Sequence, residues 1–151
     1  MALKPTKRNV GELRKAAVAE AFTWLNTPYV DCGYVKGPAG CVDCAMLLIG
    51  VYSAIGVVPK DFDPRPYNPD WHLHQTEELY LAGLEEYAHR VDTPEVGDVL
   101  MFKFGRHAAH GAILVAEDYV IHAYKHSGRV EFTERYHEPL ASRYHSAWSP
   151  F

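Results

Sequence analysis

Residues 43–56 read DCAMLLIGVYSAIG. The apolar side chains from Cys44 to Ile55 run almost all the way round a helical wheel, and a helix of that composition is buried at the centre of a domain rather than laid on its surface. Asp43 stands where a cap is expected, and Gly56 where such a helix stops. Upstream, the spacing predicts an amphipathic helix over 10–26, with Leu13, Ala16, Ala17, Ala21, Trp24 and Leu25 on one face. Asn9 is its candidate cap, and Thr27-Pro28 its end, because proline restricts the residue before it. Gly33, Gly37, Pro38 and Gly40 mark residues 31–42 as a loop. Downstream, four prolines make Val57–Pro69 irregular. Residues 71–88 read as a further amphipathic helix with Leu73, Tyr80, Leu81, Leu84 and Tyr87 on its buried side. After Thr93-Pro94 the character changes. Runs at 98–104, 109–116, 119–125 and 129–133 are rich in Val, Ile, Phe and Tyr, with turn signals at Glu117-Asp118 and Ser127-Gly128. A last apolar piece surrounds Trp148. Helices first and antiparallel strands second predict an α+β domain. With no internal repeat or linker, residues 1–151 read as a single domain.

A chain of 151 residues buries roughly 70% of the surface that it exposes when unfolded, so its core needs no disulfide or metal. Hydrophobic residues make up 48% and charged residues 23%, which excludes disorder as the main state. The formal net charge is −4, and Lys4, Lys7 and Arg8 form only a loose basic start, so nucleic acid is not expected as a partner. Nine histidines make the charge sensitive to mild acid. No stretch approaches the roughly 20 apolar residues of a membrane span. The opening MALKPTKRNVGELRK has charge without an apolar core behind it, so no secretory signal peptide is expected. The three cysteines, Cys32, Cys41 and Cys44, lie close together and are odd in number, which is a poor disulfide framework.

Cys44 falls in the first turn of the apolar helix, where unpaired N–H groups and the helix dipole favour an anion. A thiol in that place is expected to have a lowered pKa and to be a nucleophile; the alternative is a cysteine packed as a small hydrophobe. His110 opens a strand after the loop Gly105–Ala109, and His122 lies within the next. A tight turn at Glu117-Asp118 pairs the two strands antiparallel, with paired numbers summing to about 235. The imidazoles then come within reach of each other, as a base and its orienter do. Cys41-x-x-Cys44 with His107-x-x-His110 leaves a zinc site open as another reading. A thioredoxin-like redox pair is disfavoured by the lack of a βαβ pattern.

Four pieces of the chain, Asn26–Tyr29, Val42–Cys44 with its apolar helix, Pro94–Phe102, and His110–Leu114 with Ile121–Ala123, resemble the NlpC/P60 cysteine peptidases, most of all the short phage-encoded cell wall peptidases. Asn26-Thr27-Pro28-Tyr29 is similar to the family's G-T-P-Y, and Val42-Asp43-Cys44 with its apolar helix to D-C-S-G-L. Pro94-Glu95-Val96-Gly97-Asp98-Val99-Leu100-Met101-Phe102 resembles P-G-D-L-V-F-F. His110-Gly111-Ala112-Ile113-Leu114 followed by Ile121-His122-Ala123 resembles H-V-G-I-Y and I-H-A. Tyr67-Asn68-Pro69-Asp70-Trp71 is similar to the phage subgroup. Ala45-Met46 departs from the usual Ser-Gly. The resemblance implies a papain-like α+β fold with N-terminal helices packed on an antiparallel β-sheet. It implies Cys44 as nucleophile, His110 as general base and His122 as the residue that orients it. Tyr29 would shape the oxyanion side, and Asp43 would line the substrate cleft and meet a free amine. It also implies cleavage beside a γ-D-glutamyl residue of the peptidoglycan stem, with no cofactor. The product would be made in the bacterial cytoplasm and act at the cell wall, with phage tail proteins as partners. A papain-like cell-wall amidase and a non-catalytic tail module are the remaining alternatives.

Overall fold

The structure, a computed structural model, describes residues 7–67 and 73–151. Lys4, Asn68-Pro69-Asp70-Trp71 of the phage-like segment, and residues 71–72 of the predicted third helix lie outside the described residues. Among the described residues three α-helices, α1 (Lys7–Thr23), α2 (Cys44–Ala54) and α3 (Leu73–Tyr87), precede most of the strands. A two-stranded hairpin, β1 (Tyr34–Val35) and β2 (Cys41–Val42), leads into α2. The main sheet has six antiparallel strands: β3 (His89–Val91), β4 (Val99–Phe104), β5 (His107–Ala116), β6 (Tyr119–Tyr124), β7 (Arg129–Glu134) and β8 (Tyr144–Ser149). Their order is β3-β8-β4-β5-β6-β7.

α2 is central, as its composition requires. Met46, Leu47 and Val51 are fully buried, and each is worth about 1.5–3 kcal/mol of burial. Two glycines let this helix approach its neighbours. A Cβ on Gly50 would stand 2.6 Å from Trp24 Cζ2, so α1 and α2 close against each other there. A Cβ on Gly111 of β5 would stand 2.7 Å from Leu48 Cδ1. Leu48 is one helical turn after Cys44, and Gly111 follows His110. This contact therefore sets how far the thiol stands from the strand that carries the imidazole.

A second lock ties α1 to the sheet. Arg14 Nη1 donates to Asp98 Oδ1 at 2.8 Å and to the Val96 carbonyl at 3.1 Å, and Nη2 donates to Ser149 Oγ at 3.2 Å. Asp98, 1% exposed, also accepts from the Glu95 N–H at 2.8 Å. The Gly-Asp of the P-E-V-G-D run is thus a structural clamp.

Several boundaries differ from those read from the sequence. α1 begins before Asn9, which is inside the helix rather than its cap, and it ends at Thr23 rather than at Thr27. Three-residue turns such as Trp24 N–H to Ala21 O and Thr27 N–H to Trp24 O tighten the chain after Thr23. Ala16 is exposed; Ala17, Ala21 and Trp24 carry the burial on that side. The predicted 31–42 loop contains the β1–β2 hairpin. The stretch Gly105–Ala109 is mostly strand. β5 starts at His107, because Phe102 pairs with His110 and Lys103 with Ala108, leaving Ala109 as a bulge. β3 and β8 were not resolved as strands in the sequence, and they complete the sheet.

Candidate active site

Asp43 builds the start of the helix that carries the thiol. Its Oδ1 accepts from the Met46 N–H at 2.8 Å, as an N-cap does. Its Oδ2 accepts from the Cys32 N–H at 2.8 Å and from the Tyr67 hydroxyl in a short bond. Cys32 reaches this position with a φ of 62°, in the left-handed region. Asn26 has a φ of 67°, and asparagine is among the few non-glycine residues that tolerate it. Beyond Asn26, the Thr27 carbonyl accepts from the Val130 N–H at 2.9 Å, and the Tyr29 N–H donates to the Gly128 carbonyl at 2.8 Å. The Asn26–Tyr29 run is therefore held against the β6–β7 turn, and it presents Tyr29 to the cleft.

Cys44 is the first residue of α2 and half-buried. The thiol is pushed up to about 12 by burial and by the Asp43 charge. The Tyr80 hydroxyl and the backbone N–H groups of Ala45 and Cys44 act the other way and are outweighed. This corrects the lowered pKa expected from the helix start: the favourable N–H groups are there, but desolvation and a neighbouring carboxylate win.

His110 and His122 meet as the strand pairing requires. The observed register pairs Ile113 with Ile121 and Leu114 with Val120, one residue from the expected sum. His110 Nε2 and His122 Nδ1 are 2.8 Å apart. His122 Nε2 lies 3.0 Å from Thr133 Oγ1 and 3.6 Å from Glu131 Oε1. Both rings are buried, at 5% and 1% exposure. Burial, and for His110 the neighbouring His122, hold His110 well below the usual imidazole range, and burial holds His122 at about 4. Both are neutral at pH 7. Tyr124 stacks on His122 with centroids 5.1 Å apart, and Phe104 meets His110 edge-on at 5.4 Å. His110 spends Nε2 on His122, so its remaining ring nitrogen, Nδ1, is the one left for the thiol.

A cleft of about 470 Å³ is lined by Tyr29, Asp43, Cys44, Tyr80, His110 and Tyr124 among others. The structure thus brings Cys44, His110, Tyr29 and Asp43 to one cavity, with His122 behind His110. Among the described residues no hydrogen bond joins Cys44 to His110, although both line the same cleft. The Tyr29 hydroxyl donates to Asp31 Oδ1 at 3.3 Å, and burial with the nearby Cys44 and Asp43 raises its pKa. A second, apolar cavity of about 90 Å³ between α2 and α3 is lined by Leu48, Val58, Phe62 and Leu84. Cys41, Cys44, His107 and His110 do not gather for zinc: the described residues hold no group of three potential ligands.

Thr133, Glu131 and Tyr80 were not singled out from the sequence. Pairing of His122 with Glu131 across β6–β7 puts Thr133 diagonally beside the imidazole, and the Ser127-Gly128 turn was the signal that could have found it. Tyr80 read only as a buried helical residue.

The NlpC/P60 family model matches residues 26–149. Among solved structures, the NlpC/p60 domain of the peptidoglycan hydrolase SagA is 25% identical over 90% of this chain and 97% of that one, with a TM-score of 0.56. The peptidoglycan hydrolase RipB from Mycobacterium tuberculosis is 14% identical over 96% of this chain and 67% of that one, at 0.65. A lipoprotein-like NLP/P60 family protein from Staphylococcus aureus is 18% identical over 98% of this chain, also at 0.65, and the chain spans only 44% of its length. None of the curated proteins matches the chain significantly by sequence.

Proposed function

The chain belongs to the NlpC/P60 family, and from that premise we propose that it is a cysteine peptidase acting on the peptide stem of bacterial peptidoglycan, beside a γ-D-glutamyl residue. SagA and RipB, which share its fold, are described as peptidoglycan hydrolases. The observation that carries the reading is the imidazole pair: His110 Nε2 at 2.8 Å from His122 Nδ1, with His110 in a cleft shared with Cys44. Residues 1–151 act as one catalytic domain.

The chemistry follows from two neutral rings. For Nδ1 of His110 to accept a proton, Nε2 must carry one and donate it to His122 Nδ1. The His122 proton then sits on Nε2, where Thr133 Oγ1 and Glu131 can accept it. With the thiol held protonated at rest, Cys44 Sγ attacks the amide carbonyl as its proton passes to His110 Nδ1. The C–N bond breaks, His110 protonates the leaving amine, and an acyl-enzyme remains. Water, deprotonated by His110, releases the acid and regenerates the thiol. Backbone N–H groups of Cys44 and Ala45, which already act on Sγ, hold the oxyanion. Tyr29 shapes that side of the cleft, and Asp43, beside Cys44 at the head of α2, lines the cleft where a free amine of the wall peptide is received. No cofactor enters any step.

No helix among the described residues is long and apolar enough to cross a membrane. We place the site of action at the cell wall and phage tail proteins as partners, on the likeness of the segment from Tyr67 to Trp71 to the phage members. The test is mass spectrometry of the products from purified peptidoglycan. New γ-D-glutamyl carboxyl ends, absent with Cys44→Ala, are expected. Release of intact stem peptides from the sugar chain would instead show an amidase, and full activity of Cys44→Ala would overturn the nucleophile.

A further inference from the structure

Tyr80 occupies an unusual position in the cleft. It comes from α3, which packs on β5. Its Cε1 lies 3.0 Å from where a Cβ on Gly111 would stand, so the ring is wedged beside the residue that follows His110. One turn earlier, Glu77 accepts from the Ala108 N–H and lies 3.6 Å from His107 Nδ1, which pins the same face of α3 to the same strand. Tyr80 is 5% exposed and lines the cavity with Cys44 and His110. Its hydroxyl is the one buried side-chain polar atom among the described residues that has no hydrogen-bond partner. Native proteins rarely leave such a group unmatched, and an exception calls for a use.

The surroundings of the sulfur say what that use is. Asp43 faces Cys44 with a charge of the same sign as a thiolate. The Tyr67 hydroxyl is spent on Asp43 and the Tyr29 hydroxyl on Asp31. His110 is neutral and receives the proton. Of the three tyrosines that act on or near the sulfur from this side, Tyr80 is the one whose hydroxyl is not spent on a carboxylate, and it favours the thiolate while burial and the sulfur's charge keep the phenol protonated.

We propose that Tyr80 is a further catalytic residue, whose hydroxyl donates a hydrogen bond to Cys44 Sγ as the thiol gives up its proton. This rests on Cys44 being the nucleophile. Tyr80 keeps its own proton throughout; the thiol proton goes to His110 Nδ1. A hydrogen bond to an anionic acceptor is much stronger than one to a neutral thiol, so the bond strengthens as charge builds on sulfur. An interaction of that kind accelerates the step.

Tyr80→Phe in the full chain is the test, with three readouts. Alkylation of Cys44 by iodoacetamide, followed by mass spectrometry, should slow about tenfold at each pH from 7 to 9, the equivalent of raising the thiol pKa by about one. Peptidoglycan hydrolysis should lose kcat by about tenfold or more with KM little changed. The melting temperature should hold or rise, because an unmatched polar atom has been removed. A folded Tyr80→Phe with wild-type alkylation and wild-type kcat overturns the proposal, as does a melting temperature several degrees lower, which would reveal a structural partner. Cys44→Ala separates the layers. If it hydrolyses as well as wild type, the nucleophile reading fails first; if it is inactive while Tyr80→Phe matches wild type, only the role of Tyr80 is lost.

Discussion

Replacing His122 by Gln should remove most of one specific acid sensitivity of this fold. His122 is 1% exposed, and burial holds its imidazole at about 4 against an ordinary 6.5. The folded state therefore binds this proton less readily than the unfolded chain does. The stability that this difference represents is fully present above pH 6.5 and is lost as pH falls towards 4. A displacement of that size is worth about 3 kcal/mol. For a chain of this length it corresponds to a fall in melting temperature of about 6–12 °C. His110 is shifted in the same direction and adds to the wild-type loss. Gln at 122 can still bond to His110 and Thr133 but takes up no proton in this window. Thermal unfolding by circular dichroism from pH 7.5 to 4 should show wild type losing about 3 kcal/mol more than His122→Gln. Parallel curves for the two proteins would refute the assignment of a buried neutral imidazole. The same variant should retain partial hydrolysis and His122→Ala less, since an amide can still orient His110.

The other thiols are predicted to be dispensable: Cys32→Ala and Cys41→Ala should keep most peptidoglycan hydrolysis, because Cys32 contributes its backbone N–H to Asp43 rather than its sulfur. Gly111→Ala should cost more activity than stability. The added methyl meets Leu48 and Tyr80 at 2.7 and 3.0 Å, and a shift of about 1 Å between thiol and imidazole costs on the order of a hundredfold in rate, read as kcat against melting temperature. Asp98→Ala takes the 2.8 Å partner from Arg14, which keeps Glu95 at 3.1 Å, and leaves the Glu95 N–H without its acceptor; it should destabilise by about 1–3 kcal/mol in urea unfolding, far from the chemistry.

How much of this was readable beforehand depended on the length scale of each signal. The apolar run from Cys44 to Ala54 announced a central helix because nothing else accommodates apolar side chains all round. Asp43 at its head was found as the cap that it is. Four of the strands were visible because each is rich in β-branched and aromatic residues and set off by turn signals, whereas β8, also six residues long, is broken up by His145, Ser146 and Ser149. The two-residue strands β1 and β2 and the three-residue β3 carry no periodicity of their own and exist through their partners. The bulge at Ala109 disguised the start of β5 as a loop. The encounter of His110 with His122 followed from hairpin arithmetic, which needs only a turn and a count. The thiol's pKa did not follow from its place on the helix, because it depends on how completely the cleft is desolvated and on the orientation of the Asp43 charge. Thr133 and Tyr80 were hidden for a related reason: a hydroxyl looks the same in sequence whether it faces water or a nucleophile.

The place of β8 carries a consequence for the order in which the sheet can close. It follows the other seven strands among the described residues, yet it lies inside the sheet, pairing with β3 through His89↔Ser149 on one side and with β4 through Val99↔Trp148 on the other. During synthesis Cys44 leaves the ribosome well before His110, and both leave before the strand that joins β3 to the rest. Contacts so far apart in sequence form slowly and late. A chain made only as far as β7 thus leaves β3 apart from the rest of the sheet. The sheet becomes continuous in a single event, when β8 slots into the gap between β3 and β4.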